Sequence, residues 1–373
     1  MDLTLTEDQE LIVSTARELL AARAGTAGAR AMEDDPAGYS AGLWKEMVEL
    51  GWTGLALPEE HGGVGGDFLE VCLLFEQLGY ALVPSPLLPT VACCALPIAR
   101  YGTPAQQAEW LGSIARGRVM SHTPVPWDRP PGEGPWATAT GTGDVEIDGT
   151  ALFVPYAHAA ESLLVVADLE EEPRAFLVDA DAPGVTPEPV AGVGLDRPHR
   201  VEFAGVRVPG DRLLGADRAA VDAISLYGAA ATCAEMVGAA QRVLDMTVEY
   251  ATGREQFGRP IGSFQAVQHH CADMAIDVLG SRFLAFEAIW RLAAERDAAE
   301  EVSMAKAWVS EAYERVCALG HQVHGAIGFT QEHDLHLFSR HAMASALAFG
   351  DEDLHYERVA GRLGLPGNPT NRP

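Results

Sequence analysis

The spacing of the apolar residues changes twice along this chain, and that double change restricts the folds open to it more than any single motif does. Up to about Gly117 the apolar residues recur at helical intervals, as in LTEDQELIVSTARELLAAR, where Thr6 is placed to cap the first helix. Between Val119 and about Gly215 the pattern shortens to VEID, ALFV, SLLVVA, AFLVDA and RVEFAGVRV, separated by Gly, Pro and Asp. That is how a small antiparallel sheet reads. Helical spacing returns after Ala219, in long runs over 221–250, 264–294, 301–319 and 334–348 that predict a four-helix bundle. The expected architecture is mainly α with a central β domain: an N-terminal helical domain over 1–118, a small antiparallel β-sheet or barrel over 119–217, and a C-terminal four-helix bundle over 218–373. At 373 residues and 48% apolar, the chain can bury the core such an assembly needs.

Two segments of the last domain carry chemistry. Residues 254–274 read REQFGRPIGSFQAVQHHCADM. Gly258 and Pro260 break the chain between two helices and set Arg254, a planar fork of donors suited to a phosphate, on a turn beside the ring of Phe257. Taken by itself this is as readily a solvated surface turn as an anion site. Residues 322–340 read QVHGAIGFTQEHDLHLFSR, where Gly325 and Gly328 open a loop that backbone and ligand can share closely.

Together these segments resemble the C-terminal domain of the acyl-CoA dehydrogenase family. There an Arg-any-any-Phe-Gly turn and a Gln-any-any-Gly-Gly-any-Gly loop reach across a subunit boundary to an FAD held mainly by the neighbour. The resemblance assigns FAD contacts in trans to Arg254, Phe257, Gly258, Gln265, Gln322, Gly325 and Gly328, with Ala326 standing where the loop's second glycine is usual. It continues through LALPEEHGGVGGDFLEVCLLFEQLGY, similar to the family's Pro-Glu-any-any-Gly-Gly turn and buried helix, and through YGTPAQQAEWLGSIARGRV before the middle domain.

The reaction of that family removes an α proton from a thioester with a carboxylate while the flavin takes a hydride from the β carbon. The glutamate that usually serves lies about nine residues after an arginine that matches Arg340. Phe349 stands there. The second position used by some members matches Gly228, followed by Ala229 where many relatives keep an arginine for CoA. Neither position carries a base. The nearby substitutes are Asp351, which with Glu352 and Asp353 reads equally as a helix start, and Glu235, two turns along the helix from Gly228 among apolar residues that would raise its pKa. The middle domain also departs from its relatives. HTPVPWDRPPGEG replaces their Thr-Glu-Pro and Gly-Ser-Asp turns, leaving His122, Thr123 and Pro124 as a remnant. LFVPYAHAAES replaces their Trp-Ile-Thr strand end, where Pro155 lacks an N–H and Tyr156, like Trp127, offers a ring for stacking or for the core.

Loss of the subunit's own flavin cradle beside retention of the parts that reach a neighbour's predicts the partner subunit of a heteromeric acyl-CoA dehydrogenase. Such a chain contributes trans contacts to FAD while a homologous subunit supplies the glutamate, with an acyl-CoA substrate and an electron-transfer acceptor. Two other readings stay open: an autonomous homo-oligomeric FAD enzyme with a relocated base, and a redox-silent member that binds acyl-CoA. A net charge of −27 supplies no basic footprint for nucleic acid or an anionic membrane. The absence of an uncharged apolar run of membrane-spanning length, and of a basic-then-apolar leader, suggests a cytoplasmic address. Six cysteines without metal-like spacing read as reduced core thiols, and the histidines His321, His324, His333, His336 and His341 lack a pattern that would make them metal ligands.

Overall fold

The computed structural model describes residues 4–125 and 137–365, so Trp127 and the rest of the 126–136 run lie outside the described residues. Helices α1 (Glu7–Arg23), α2 (Gly25–Asp34), α3 (Ala41–Glu49), α4 (Phe68–Ala81), α5 (Leu87–Thr90), α6 (Leu96–Tyr101) and α7 (Pro104–Ala115) form the first layer. Their starts are written in local chemistry. Thr6 caps α1 reciprocally with Gln9, Asp67 caps α4 with Glu70, and Thr103 caps α7 with Gln106 just before Pro104.

Strands β1 (Met120–His122), β2 (Ala137–Thr140), β3 (Val145–Pro155), β4 (Ser162–Leu169), β5 (Glu172–Asp179), β6 (Val185–Pro189), β7 (Pro198–Val208) and β8 (Leu213–Leu214) make one sheet, ordered β6-β7-β3-β2-β4-β5-β8 with β1 also along β4. Most ladders are antiparallel, but β1 and β2 both run parallel to β4, so the sheet is mixed rather than purely antiparallel. Apolar alternation marks a strand without marking its direction, and the β2–β3 hairpin gives the chain enough length to return to the same edge before β4 begins.

Strands β4 and β5 are buried on both faces, which explains their unbroken apolar runs. Leu163, Val165, Phe176 and Val178 face the core inside the curled sheet, whereas Leu164, Val166, Ala175 and Leu177 join the helical core. The two domains therefore share a packed wall.

The last layer holds α8 (Ala219–Gly253), the short ribbon β9 (Glu255–Gln256) and β10 (Arg259–Pro260), α9 (Gln265–Ala293), α10 (Ala299–His324) and α11 (Leu335–Leu347). A fifth helix, α12 (Glu352–Arg362), begins at the acidic run. By length and composition alone α8 could cross a membrane, yet 83% of its most apolar window is buried inside the fold, as befits a core helix. It packs against α4 at backbone contact. A Cβ on Gly79 would meet the Glu235 carbonyl oxygen at 1.9 Å, and one on Gly238 would meet the Glu76 carbonyl oxygen at 1.8 Å. Those two glycines fix how α8 presents Glu235 to the interior.

Candidate functional site

A cavity of about 510 Å³ lies where the sheet meets the C-terminal helices. One face of α8 runs along it, showing Arg218, Ile224, Ser225, Thr232 and Glu235 in turn. Leu82, Val83 and Leu88 close it from the first domain, and His122, Tyr156 and Phe349 face it from the other walls.

At its middle the positions where relatives keep a base are packed shut. Phe349 adopts φ 60°, and its ring lies so near Gly228 that a Cβ there would meet ring carbons at 2.2 and 2.3 Å. The same ring stacks on His122, with centroids 5.7 Å apart and planes 6° from parallel. Burial pushes His122 down to about 4, so the imidazole is neutral at pH 7, and its Nδ1 finds no hydrogen-bond partner among the described residues. Among the described residues no carboxylate stands at this level to accept an α proton.

Of the two substitute bases, Asp351 caps α12, its Oδ1 accepting from the Leu354 N–H at 2.9 Å. The acidic run is thus a helix start. Glu235 is different. It lines the cavity two turns beyond Gly228, about 10 Å along the axis, and its carboxyl has no hydrogen bond or ion pair among the described residues. Burial, with the Asp196 carboxylate adding to it, raises Glu235 to about 8. Asp196, itself raised by burial, lines the same cavity. The opposite end is cationic, with Arg218 bound to Asp222 at 2.9 Å and Arg358 lowered by burial.

The residues expected to reach a flavin are gathered elsewhere. Arg254 ends α8 about 39 Å along the helix axis from Gly228. Its carbonyl accepts from the Ile261 N–H at 2.8 Å, holding the β9–β10 ribbon, while its exposed guanidinium has no acidic partner among the described residues. Phe257 and Gly258 are the two central residues of that ribbon, with φ 55° and 76°, the geometry of a tight primed turn. Phe257 is 92% exposed at its tip, and Gln265 is exposed at the start of α9.

The glycine loop leaves the same end of the bundle. His324, at the end of α10, stacks on Tyr250, one turn before Arg254, at 4.5 Å. Gln322 is exposed, and Gly325 has φ 64° with open space where a Cβ would stand. Gly328 is instead buried, and a Cβ there would press on His324 at 3.1 Å and Leu335 at 3.3 Å. The neighbouring histidines serve structure: His321 Nε2 lies 2.7 Å from Ser339 Oγ, and His324 Nδ1 lies 2.8 Å from the Gly320 carbonyl. Among the described residues no three His, Cys, Asp or Glu side chains converge as metal ligands. The six cysteines are free thiols, and burial pushes Cys233 up to about 12.

The middle domain spends its remnant on its own backbone. Thr123 Oγ1 accepts from the Val166 N–H at 2.7 Å, the Thr123 N–H donates to Leu164 at 3.0 Å, and the Ser121 hydroxyl donates to the Pro155 carbonyl. Tyr156 is buried at φ 49° edge-on to Tyr39. These residues do not fit an FAD cradle within this subunit. The exposed fork of Arg254 and the open backbone at Gly258 and Gly325 do fit a cofactor seated outside it.

Neutral burial has a measurable cost in acid. His122 and His341 are pushed down to about 4 and His355 to about 3, each chiefly by burial. Below pH 6.5 the unfolded chain takes up protons that the folded chain refuses until about pH 4, so stability falls through that window by roughly 3 kcal/mol per histidine. His122→Phe should recover about one such share of the acid loss in thermal melts at pH 4.5 relative to pH 7. An unchanged acid limb would contradict the neutral His122.

Asp196, Arg358 and the His122–Phe349 stack escaped sequence reasoning. Each lies on a loop or helix remote in sequence from α8, where a lone charge reads as a solvated one.

Comparison with known proteins agrees with this architecture. The N-terminal domain model of acyl-CoA dehydrogenases matches residues 6–118, and the C-terminal domain model matches 221–364. Acyl-CoA dehydrogenase FadE27 of Mycobacterium tuberculosis is 34% identical over 86% of this chain and 87% of its own length. Acyl-CoA dehydrogenase IpdE2 of Mycolicibacterium smegmatis is 30% identical over 93% of this chain and 96% of its own. A chain of the ChsE4–ChsE5 complex from Mycobacterium tuberculosis superposes with a TM-score of 0.90 at 33% identity, covering 99% of this chain and 100% of that one. Butyryl-CoA dehydrogenase from Megasphaera elsdenii does so with 0.89 at 25%, covering 97% and 100%. The chain belongs to the acyl-CoA dehydrogenase family of FAD-dependent oxidoreductases.

Proposed function

We propose that this chain is the flavin-completing subunit of a heteromeric acyl-CoA dehydrogenase, and that the carboxylate which takes the α proton comes from a homologous partner. One observation carries the reading: the phosphate-suited Arg254 stands about 39 Å along α8 from the level of Phe349 and Gly228, where a base would have to act. A chain arranged this way serves a cofactor in its neighbour. The bound FAD would supply the hydride acceptor for the β carbon. Arg254 would hold its pyrophosphate as a two-point donor, Phe257 would cover it from solvent, and the backbone at Gly258 and Gly325 would approach it, with Gln265 and Gln322 as side-chain donors. Exposed apolar residues on the surface favour an assembly: Ile276, Leu279 and Phe283 recur along α9 at 66, 56 and 51% exposure, beside Phe329 at 71%. Relatives described as two-chain assemblies support the same view, ChsE4–ChsE5 among them and also the steroid enzyme Tcur3481–Tcur3483, matched at 30% identity and a TM-score of 0.89.

A second reading draws on Glu235, whose raised proton affinity suits a general base. It makes the chain an autonomous enzyme with the base moved two turns along α8. The absorbance spectrum separates the two. The chain expressed alone should be colourless, and co-expression with a glutamate-bearing homologous subunit should give stoichiometric FAD and thioester oxidation. Full flavin content in the lone chain, or none with any such subunit, defeats the heteromeric reading.

A further inference from the structure

Glu235 is a costly residue to keep where it is. Around it lie Cys72, Cys93 and Tyr313, each of which feels its charge, and the α8 residues Ala234, Met236 and Val237. A carboxyl in such surroundings without a hydrogen-bond partner is less favourable than an apolar side chain. The backbone contacts at Gly79 and Gly238 leave α8 no freedom to turn it away. Its side chain lines the cavity. Thr232, buried and one turn nearer Gly228, lines the same wall, so the interior changes from apolar to hydrogen-bonding along this stretch.

We propose that Glu235 recognises an oxygen function, a hydroxyl or a ketone, carried about 10 Å along the acyl part of a thioester bound in this chain's own cavity. The cationic pair Arg218 and Arg358 marks the opposite end, toward the thioester's phosphates. With its proton in place at neutral pH, the carboxyl donates to a ketone and accepts from a hydroxyl. A plain alkyl chain satisfies neither role and leaves the carboxyl as unpaired as before. Burial, with the Asp196 charge adding to it, keeps Glu235 protonated and so keeps the donor available.

The inference rests on the family reading of the cavity as an acyl site, but not on flavin or on a partner, so its test is binding to the full-length chain alone. At pH 7, 8-hydroxyoctanoyl-CoA should bind by calorimetry at least 10-fold more tightly than octanoyl-CoA. Glu235→Leu should bind octanoyl-CoA at least as well as the natural chain does and lose the preference. Glu235→Gln, whose amide both donates and accepts, should keep most of it. Equal affinity for the two thioesters, a preference that survives in Glu235→Leu, or no binding of either thioester overturns the proposal. None of these results bears on flavin content, so a failure here leaves the heteromer assay to stand or fall separately.

Discussion

Arg254→Gln in this chain, with the partner subunit unchanged, should weaken FAD retention by the assembled heteromer about 100-fold. In the proposed assembly the guanidinium would bring a full charge and two parallel donors to a pyrophosphate, and truncating one side of such a pair inside an interface costs ~2–5 kcal/mol. Ordinary losses of surface arginines act through folding, but this one should not. Arg254 is exposed and makes no side-chain ion pair among the described residues, so the isolated chain should melt within about 0.5 kcal/mol of its natural stability. Arg254→Lys keeps the charge and loses the fork, and should fall between the two, near a 10-fold loss. The contrast with Asp351→Asn is the useful control, since that side chain caps α12 and has no cofactor contact in the proposed assembly; flavin retention should stay unchanged there. The measurement is FAD released on dilution of the purified heteromer, followed by flavin fluorescence. Retention unaffected by Arg254→Gln would mean that the ribbon does not reach the neighbour's cofactor.

The parts of this molecule that were legible in its sequence are those with local causes. The ribbon that carries Arg254 is punctuated by Gly258 and Pro260, and the N-cap at Thr6 is a capping box written within four residues. Glu235 stood out because it is the one charged residue in the apolar stretch of α8 from Ala223 to Gln241, and burial of that stretch made the charge consequential. The features that escaped are those assembled from distant segments. Strand direction in the sheet depends on which edge of β4 receives β1 and β2, and apolar alternation is blind to it. The stack of His122 on Phe349 joins the end of β1 to the turn after α11, and Asp196 reaches the cavity from the approach to β7. Gly328 illustrates a subtler limit. Its place in the loop motif suggests backbone approach to a ligand, and its surroundings add a second constraint, since a Cβ there would press on His324 and Leu335.

Glu235→Gln should stabilise the chain increasingly as the pH rises, by about 5 kcal/mol at pH 9 relative to pH 4.5. The sign follows from the direction of the shift. The unfolded chain ionises Glu235 near its ordinary value of 4.5, whereas burial and the Asp196 charge hold the proton in the folded chain to about 8. Below pH 4.5 both states are protonated and the residue costs nothing in ionisation. Between 4.5 and 8 the unfolded state alone releases its proton, so the natural chain loses stability progressively, and above 8 the loss is complete. Three and a half pH units at 1.36 kcal/mol each set the size of the effect at about 5 kcal/mol. For a chain of 373 residues, an unfolding entropy of about 2.1 cal/mol/K per residue converts this to roughly 6 °C in melting temperature. The glutamine has no such limb, so the two melting curves should converge near pH 4.5 and part toward pH 9. This alkaline limb mirrors the acid limb set by the buried histidines, and the natural chain should melt highest between the two. Parallel melting curves for Glu235→Gln and the natural chain across that range would place an ordinary, solvated carboxylate at this position, and the cavity would then lack the neutral acid on which recognition of a polar acyl group depends.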